Sequence, residues 1–218
     1  MNAKLDFREL ERIPRGVHAG FKMSYSGIER RAERFRAKAL PDLDMSDPVP
    51  GHQLFSRIGR LRVVHGDRSI PLEYAVNELP QGTEGMALYD RDQDCIVVAL
   101  SACTYDALER NEPRAVQTLG HELGHAILHT DVLVRMGRAP HRVAALMREA
   151  RPQHKFCEDT EWMANAFSAA LLAPARALSA LELVEELSVD ALQTRFNLSV
   201  QGARNRLNVY QKYREKLL

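Results

Sequence analysis

The chain has 218 residues, of which 45% are hydrophobic and 27% are charged, and its formal net charge is +1. This length allows one substantial core, and the balanced charge excludes a basic field over the whole protein, so any surface for nucleic acid must be local. The aromatic share of 6% argues against a stacking surface for bases. Cys95, Cys103 and Cys157 are odd in number and widely spaced, which does not suggest a disulfide framework.

No segment is predicted to direct the chain to a membrane. The chain begins with a charged stretch that lacks an apolar core, so it does not resemble a secretory signal. The longest apolar-leaning stretch, residues 164–184, is interrupted by Pro174, Arg176 and Glu182, which predicts two helices rather than a membrane span. We therefore expect a reduced, cytoplasmic protein.

The first predicted elements are a lead-in and a helix. Residues 1–23 carry Pro14, Gly16 and Gly20 and are predicted to be poorly structured. A helix is predicted over residues 24–40, with apolar residues on one side at helical spacing. Its other side is rich in arginine, which favours a solvated face and leaves open a patch for an acidic partner.

The pattern then changes from the helical period to short strands. After a loop, a hairpin and neighbouring strands predict a small, mostly antiparallel sheet. The predicted strands are residues 61–66, 72–79, 85–89 and 95–100. After the sheet, every predicted element is a helix. Pro113 suits the first turn of the first of these helices. These helices are residues 113–129, 158–172, 175–186, 189–196 and 200–213, with a loop and an amphipathic segment at 143–150 after the first.

Residues 121–125 read His-Glu-Leu-Gly-His within the predicted helix 113–129. His121 and His125 are four residues apart, which advances the helix by about 6 Å and turns it about 40° past one full turn, so both imidazoles face the same side. Two neutral imidazoles and a carboxylate suit zinc and leave a position for water. Glu122, beside the first ligand, can act on that water as a general base and later pass the proton to the leaving amine.

The context of this motif favours a metal site over a coincidence. The pattern arises by chance in about one chain in a hundred of this length, and the alternative is an exposed helix that carries two histidines. The surrounding residues are largely apolar, which predicts a buried helix whose histidines and glutamate need a partner. His129 lies about 12 Å along the axis from His121, cannot share the ion with both other histidines and is interpreted as structural.

A third ligand must come from another element. Glu161, in the first turn of the predicted helix 158–172, points toward the core side, where an unpaired carboxylate is costly. Asn165, one turn later, is placed to hydrogen-bond a zinc-bound histidine. Glu158 lies on nearly the same face and remains the alternative ligand, whereas Asp159 points away.

These motifs resemble a known family. Residues 118–129 read Thr-Leu-Gly-His-Glu-Leu-Gly-His-Ala-Ile-Leu-His, and residues 161–174 read Glu-Trp-Met-Ala-Asn-Ala-Phe-Ser-Ala-Ala-Leu-Leu-Ala-Pro. Together they resemble the two motifs of the ImmA/IrrE metallopeptidases. The resemblance implies a zincin-like α+β fold, in which a small, mostly antiparallel sheet packs on the HExxH helix and a helical C-terminal half follows.

The resemblance also implies roles and a domain plan. His121, His125 and Glu161 would bind Zn²⁺, and Glu122 would be the catalytic base of an endopeptidase. The implied substrate is a helix-turn-helix transcriptional repressor, cleaved in a stress, DNA-damage or phage-defence response. After the lead-in, residues 24–215 would form one metallopeptidase domain. Its parts are the N-terminal helix and sheet (24–112), the zinc-site helices (113–186) and a terminal helix pair (187–218).

Two features depart from the family pattern or add to it. Met163 stands where many relatives have a second glutamate, at a position that points off the predicted zinc face. The stretch 135–155 has an excess of basic residues. It is interpreted either as a solvated surface or as a site for an acidic peptide or for activating single-stranded DNA.

Cys103 follows the predicted strand 95–100 and precedes the motif helix. The edge strand that lines the substrate cleft of zincin-like folds lies close to the metal, so a thiolate there could occupy the open zinc position and inhibit the enzyme. The alternative is a small buried residue at a strand end. Tyr105, His141 and His154 are candidate hydrogen-bond donors to the oxyanion, without a spacing argument for any of them.

Competing functions remain open at this point. The terminal helix pair 187–218 packs on the core in one interpretation and binds DNA through Arg204 and Arg206 in the other. The chain could then be a DNA-binding regulatory protein with a structural zinc site, or a metal-dependent hydrolase of another bond. Glu122 favours an enzyme, because a structural site does not need a carboxylate beside its ligand.

Overall fold

Helices and a single sheet occupy the described part of the chain. The computed structural model describes residues 16–138 and 154–218. Its first half contains α1 (Tyr25–Ala39), α2 (Gly51–Arg57), a 3₁₀ turn (Ile58–Arg60), β1 (Arg62–His65), β2 (Arg68–Val76), β3 (Gly85–Asp90) and β4 (Cys95–Leu100). Its second half contains α3 (Ala102–Glu109), α4 (Pro113–Leu128), α5 (Thr130–Arg138), a 3₁₀ turn (Phe156–Glu158), α6 (Thr160–Leu172), α7 (Ala175–Glu182), α8 (Val189–Phe196) and α9 (Val200–Leu217).

The four strands form a mixed sheet in the order β1-β2-β4-β3. β1 pairs antiparallel with β2, and β3 pairs antiparallel with β4 through partners such as Leu88 and Val97. β2 and β4 are parallel, with Tyr74 opposite Val98. Two of the three pairings are antiparallel, and most of the described helices follow the sheet, so the predicted α+β class with a mostly antiparallel sheet is confirmed.

Several predicted boundaries were wrong, and three helices were missed. β2 begins at Arg68, not at residue 72, although it contains Pro71. Proline is rare inside central strands, but β4 pairs with β2 only from Leu72 onward, so Pro71 has a partner strand on one side alone and its missing N–H is tolerated. The missed helices have only 7 to 9 residues each, too few for a helical period to stand out from the sequence. They are α2, α3 and α5.

The prediction of a poorly structured lead-in is wrong for its last part. Residues 16–23 run alongside residues 157–160 and exchange backbone hydrogen bonds with them. The Ala19 N–H donates to the Glu158 carbonyl at 2.8 Å, and the Thr160 N–H donates to the Val17 carbonyl at 3.1 Å. Glycine and proline content does not report such pairing, because it depends on a partner more than a hundred residues away. Residues 1–15 lie outside the described part of the chain.

The helices that carry the two motifs pack directly on each other. α4 contacts α6 more extensively than any other pair of described elements, and its other side lies on β3 and β4. Leu119, Leu123 and Phe167 are fully buried in this layer. A Cβ atom added at Gly124 would lie 2.9 Å from the Ala164 Cα and 3.0 Å from its carbonyl oxygen. Glycine at this position therefore allows the two helix backbones to approach each other.

Gly124→Ala is expected to destabilise the protein by about 1–3 kcal/mol, because the methyl group meets backbone atoms that cannot move aside. Chemical denaturation measures the free energy of unfolding directly. Gly27→Ala in α1 is the matched control, since its added Cβ would lie 3.4 Å from the Met23 side chain, an ordinary contact. The control should gain about 0.5–1 kcal/mol from helix propensity. Equal effects of the two substitutions would contradict close packing at Gly124.

A buried charged pair joins α1 to the helices at the end of the chain. Glu29 in α1 accepts from Arg206 in α9 at 2.7 Å, and both side chains are 2% exposed. Glu29 also accepts from the Ala175 N–H, and the Arg206 Nε donates to the Ala173 carbonyl, each at 2.7 Å. The pair therefore fixes the turn between α6 and α7.

The helices of residues 16–138 and 154–218 were also compared with the requirements of a bilayer. None of them combines the length and the apolar character needed to cross one.

Candidate metal site

His121, His125 and Glu161 bring their ligand atoms to one point between α4 and α6. The two Nε2 atoms of the histidines are 3.0 Å apart. The Glu161 carboxylate oxygens lie 3.2 Å from the His125 Nε2 and 3.5 Å from the His121 Nε2. Ligands about 2.0–2.1 Å from a tetrahedral zinc ion would be separated by about 3.3 Å. The group therefore has the spacing and the donor types of a metal site.

The hydrogen bonds behind the histidines determine which nitrogen faces the metal position. The His121 Nδ1 lies 3.0 Å from the Asn165 Oδ1, which can only accept, so this nitrogen carries the proton. The Nε2 of neutral His121 then presents a lone pair to the Glu161 carboxylate. Lone pairs and a carboxylate that converge in this way require a cation or extra protons. Asn165 thus contacts the His121 nitrogen that faces away from Glu161.

The same arrangement of groups also favours protonated histidines beside a charged Glu161. Burial favours the neutral acid of Glu161, but hydrogen bonds from His121 and His125 outweigh it and hold the pKa of Glu161 well below its usual value. Burial would also lower the pKa of His121, but the hydrogen bond to Glu161 and the charge of Glu122 raise this pKa above its ordinary value. Metal binding would therefore compete with protonation of the site.

His129 contacts the second histidine and lies outside the His-His-Glu group. Its Nδ1 lies 3.2 Å from the His125 Nδ1, and its Nε2 lies 3.4 Å from the Met163 Sδ. His129 is fully buried, and burial, followed by the charges of His125 and His121, holds its pKa well below the ordinary value. Neutral His129 can therefore accept the Nδ1 proton of His125 and leave the His125 Nε2 free for a metal. The helical rise argued against His129 as a ligand, but the contact between His129 and His125 was not predicted. The four-residue spacing of these two histidines could have indicated it.

His129→Leu is expected to weaken zinc binding by about 10–100-fold, because the His125 ring loses the acceptor that orients it. Competition with a chromogenic chelator measures this affinity without any assay of activity. His52→Leu is the matched control, since His52 contacts only the surface residues Tyr105 and Glu109 among its described polar partners. Wild-type zinc affinity in folded His129→Leu would contradict the positioning role.

Asp159 explains why Glu161 lies in the first turn of α6. The Asp159 side chain caps the helix by accepting from the Trp162 N–H at 2.8 Å, and it also accepts from the Gly16 N–H at 2.7 Å. His154 lies 2.9 Å from the same carboxylate. Asp159 is buried and is not part of the metal group, as expected. His154 is held by this cap, which makes it a structural residue and not an oxyanion donor.

Glu122 is buried beside His121. A Cβ atom added at Gly85 would lie 2.8 Å from the Glu122 Cγ, so this side chain packs against the start of β3. The charge of Glu122 contributes to the raised pKa of His121. β3 is the edge strand on this side of the sheet. Glu122 therefore follows His121 on α4 and packs against the edge strand of the sheet.

Other predicted site residues lie elsewhere. Glu158, the alternative ligand, accepts from the Lys155 N–H at 3.1 Å and pairs with Lys22 at 3.6 Å, outside the metal group. Tyr105 contacts the His52 ring nitrogen at 3.1 Å. His141 lies outside the described residues.

The structure does not bring Cys103 to the metal group. Cys103 is exposed in the first turn of α3. The expectation that it follows the edge strand is wrong, because β4 lies between β2 and β3 and the edge strand beside α4 is β3. A strand order that skips in sequence cannot be deduced from the spacing of strands alone.

The basic stretch 135–155 is described only at its two ends. Arg138 in α5 places its guanidinium 5.7 Å from the centre of the Tyr89 ring, a cation–π contact with β3. Most of the stretch, residues 139–153, lies outside the described part of the chain.

The terminal helix pair packs on the core. Leu192 and Phe196 of α8 and Ala203 of α9 are buried. Arg206, predicted as a DNA contact in one interpretation, is instead buried against Glu29. Arg204 is exposed.

An α+β fold in which an HExxH helix and a second helix form a His-His-Glu group defines a candidate metallopeptidase. Residues 107–208 match the Peptidase M78 family, described as the IrrE N-terminal-like domain. The resemblance to the ImmA/IrrE metallopeptidases is thereby confirmed, and this part of the chain belongs to that family, which points to a peptidase.

Solved structures give a second comparison. The chain is similar to a Mycobacterium tuberculosis transcriptional regulator with a TM-score of 0.51 and 14% sequence identity, over 87% of this chain and 48% of that chain. The chain thus spans about half the length of that regulator, and the similarity concerns the fold alone. A search of curated proteins gives no match.

Proposed function

We propose that this protein is a zinc-dependent endopeptidase. The observation that carries the proposal is the convergence of His121, His125 and Glu161, with the buried Glu122 next to the first ligand. These three side chains would hold the ion through two Nε2 atoms and a carboxylate oxygen. A bound zinc ion supplies Lewis acidity that activates water and polarises the peptide carbonyl.

The residues of the chain would move the protons. Glu122 would accept a proton from the attacking water at its carboxylate and later deliver it to the nitrogen of the leaving amine. Asn165 and His129 would keep the two imidazoles in the required tautomers, since each contacts a ligand nitrogen that does not face the metal position.

The proposed substrate is a helix-turn-helix transcriptional repressor, cleaved in a stress, DNA-damage or phage-defence response. Family membership of residues 107–208 supports this choice. A fold neighbour that is itself a transcriptional regulator is compatible with it. Activation by single-stranded DNA at the basic stretch 135–155 remains part of the proposal.

Two other functions predict different results. A DNA-binding regulator with a structural zinc site has no use for Glu122, and Arg206, one of the two arginines considered as DNA contacts, is buried against Glu29. A hydrolase of another bond would use the same four residues on a different substrate.

The deciding experiment incubates the zinc-loaded protein with the product of a neighbouring helix-turn-helix gene, with and without single-stranded DNA. Cleavage should appear on gels and by mass spectrometry, stop after chelation and return with added zinc. Cleavage that continues in the chelated protein would exclude a metallopeptidase. Intact repressor together with hydrolysis of a non-peptide ester would favour the other hydrolase.

A further inference from the structure

A cavity of about 380 Å³ lies where the end of the lead-in, α1, α6 and α9 meet. Four aromatic side chains contribute to its wall, and two lysines and two serines stand among the other lining residues. The aromatic residues are Tyr25, Phe156, Trp162 and Tyr213. This volume falls in the range of small-molecule sites in proteins.

The aromatic rings form one continuous cluster. Tyr25 contacts Trp162 with ring centres 4.8 Å apart and Tyr213 with ring centres 5.0 Å apart. Phe156 packs edge-on against Trp162 at 5.1 Å. All four residues are partly exposed, so the cluster offers ring surface to the cavity. A planar aromatic ligand could therefore stack here.

The charge of the cavity wall is positive. Lys22 and Lys216 line it, and none of the lining residues within 16–138 and 154–218 is an aspartate or glutamate. The Lys22 Nζ also forms an ion pair with a carboxylate oxygen of Glu158, 3.6 Å away. Both lysines are exposed, and Ser24 and Ser26, whose hydroxyl oxygens are 3.1 Å apart, are also lining residues. These groups suit an anion with several acceptor oxygens, such as a phosphate monoester.

We propose that this cavity binds a nucleotide, with the base among the four rings and the phosphate at Lys216 and Lys22. Any nucleobase can stack on aromatic side chains, and lysine ammonium groups bind the phosphate as point charges. The nucleotide is either a free mononucleotide or the 5′-phosphorylated end of a single strand. The site shares none of its lining residues with the metal group, so it does not depend on the proposed peptidase function.

Trp162 gives a direct readout, because it is the only tryptophan of the chain. Titration of the zinc-loaded protein with adenosine 5′-monophosphate is expected to change the fluorescence of Trp162 in a saturable manner. Adenosine and inorganic phosphate should each bind at least about 10-fold more weakly, since each lacks one half of the ligand. Two oligonucleotides, with and without a 5′-phosphate, distinguish the sources. Tighter binding of the phosphorylated strand than of the mononucleotide assigns the site to strand ends, and the reverse order assigns it to free nucleotides.

Substitutions in the cavity locate the binding. Lys216→Gln and Tyr213→Ala should each weaken the nucleotide by about 10-fold, because each removes a charge-assisted contact or a stacking surface. Lys38→Gln, the same change at an exposed position near the end of α1, should leave binding unchanged. Glu122→Gln should also bind normally, which separates this site from the peptidase proposal.

Several results would overturn the proposal. They are an unchanged Trp162 signal with every probe, binding of adenosine as tight as that of the nucleotide, and full binding in Lys216→Gln. If Tyr213→Ala proves unfolded by circular dichroism, Lys216→Gln alone decides, since its side chain is exposed and its loss leaves the core intact.

Discussion

Glu122→Gln is expected to lower the rate of peptide cleavage by at least about 10²–10⁴-fold, the usual contribution of a general base. The amide has nearly the same shape as the carboxylate, and the side chain is only 8% exposed, so the packing against Gly85 should persist. The amide cannot take the proton from water at neutral pH. Rates with a repressor or peptide substrate, together with zinc content by metal analysis, provide the measurement.

The control for this variant is Glu186→Gln, the same chemical change at an exposed position beyond α7. It should leave both the rate and the zinc content unaltered. If Glu122→Gln retained zinc and cleaved at the wild-type rate, another group would have to act as the base. If it lost zinc, Glu122 would have a role in holding the metal, and the assignment of the base would fail.

Arg206→Met is expected to lower the free energy of unfolding by about 3–5 kcal/mol, the largest stability effect that we predict. The substitution leaves the Glu29 carboxylate buried without its cation, and both side chains are only 2% exposed. It also removes the donor to the Ala173 carbonyl at the end of α6. Urea denaturation of the variant and the wild type measures the difference.

Two further variants separate charge burial from simple loss of an arginine. Glu29→Met combined with Arg206→Met should recover part of the lost stability, because no uncompensated charge then remains in the core. Arg214→Met, on the same helix, removes an ion pair to Glu182 in which the arginine side chain is 53% exposed. Its cost should stay below about 1 kcal/mol. A single Arg206→Met variant as mild as Arg214→Met would show that the buried pair contributes little.

The local arrangement of the site could be predicted from helical geometry. The four-residue spacing of His121 and His125 places both rings on one face of α4, whatever surrounds it. Asn165 follows Glu161 by four residues on α6, and the structure places both beside His121. Within one helix, the residue number fixes the direction of a side chain, so these relations needed no knowledge of the fold.

The contacts between distant segments could not be predicted in the same way. The low aromatic content argued against a stacking surface, but composition carries no information about clustering, and four aromatic residues from three parts of the chain meet at one cavity. The prediction that Cys103 lies at the metal site failed for a similar reason. It depended on which strand forms the sheet edge, and the order of strands is decided by pairings between non-consecutive segments.

The sequence by itself determined the class of fold, the His-Glu-x-x-His motif on α4 and the carboxylate on α6 that joins it in the His-His-Glu group. These conclusions follow from residue types at short spacings, where backbone geometry leaves few alternatives. The tertiary structure alone decided how the two helices approach through Gly124, which acceptor His125 finds in His129, and how residues 16–23 pair with the start of α6. Each of these contacts depends on the packing of segments far apart in the chain, and local sequence patterns do not determine that packing.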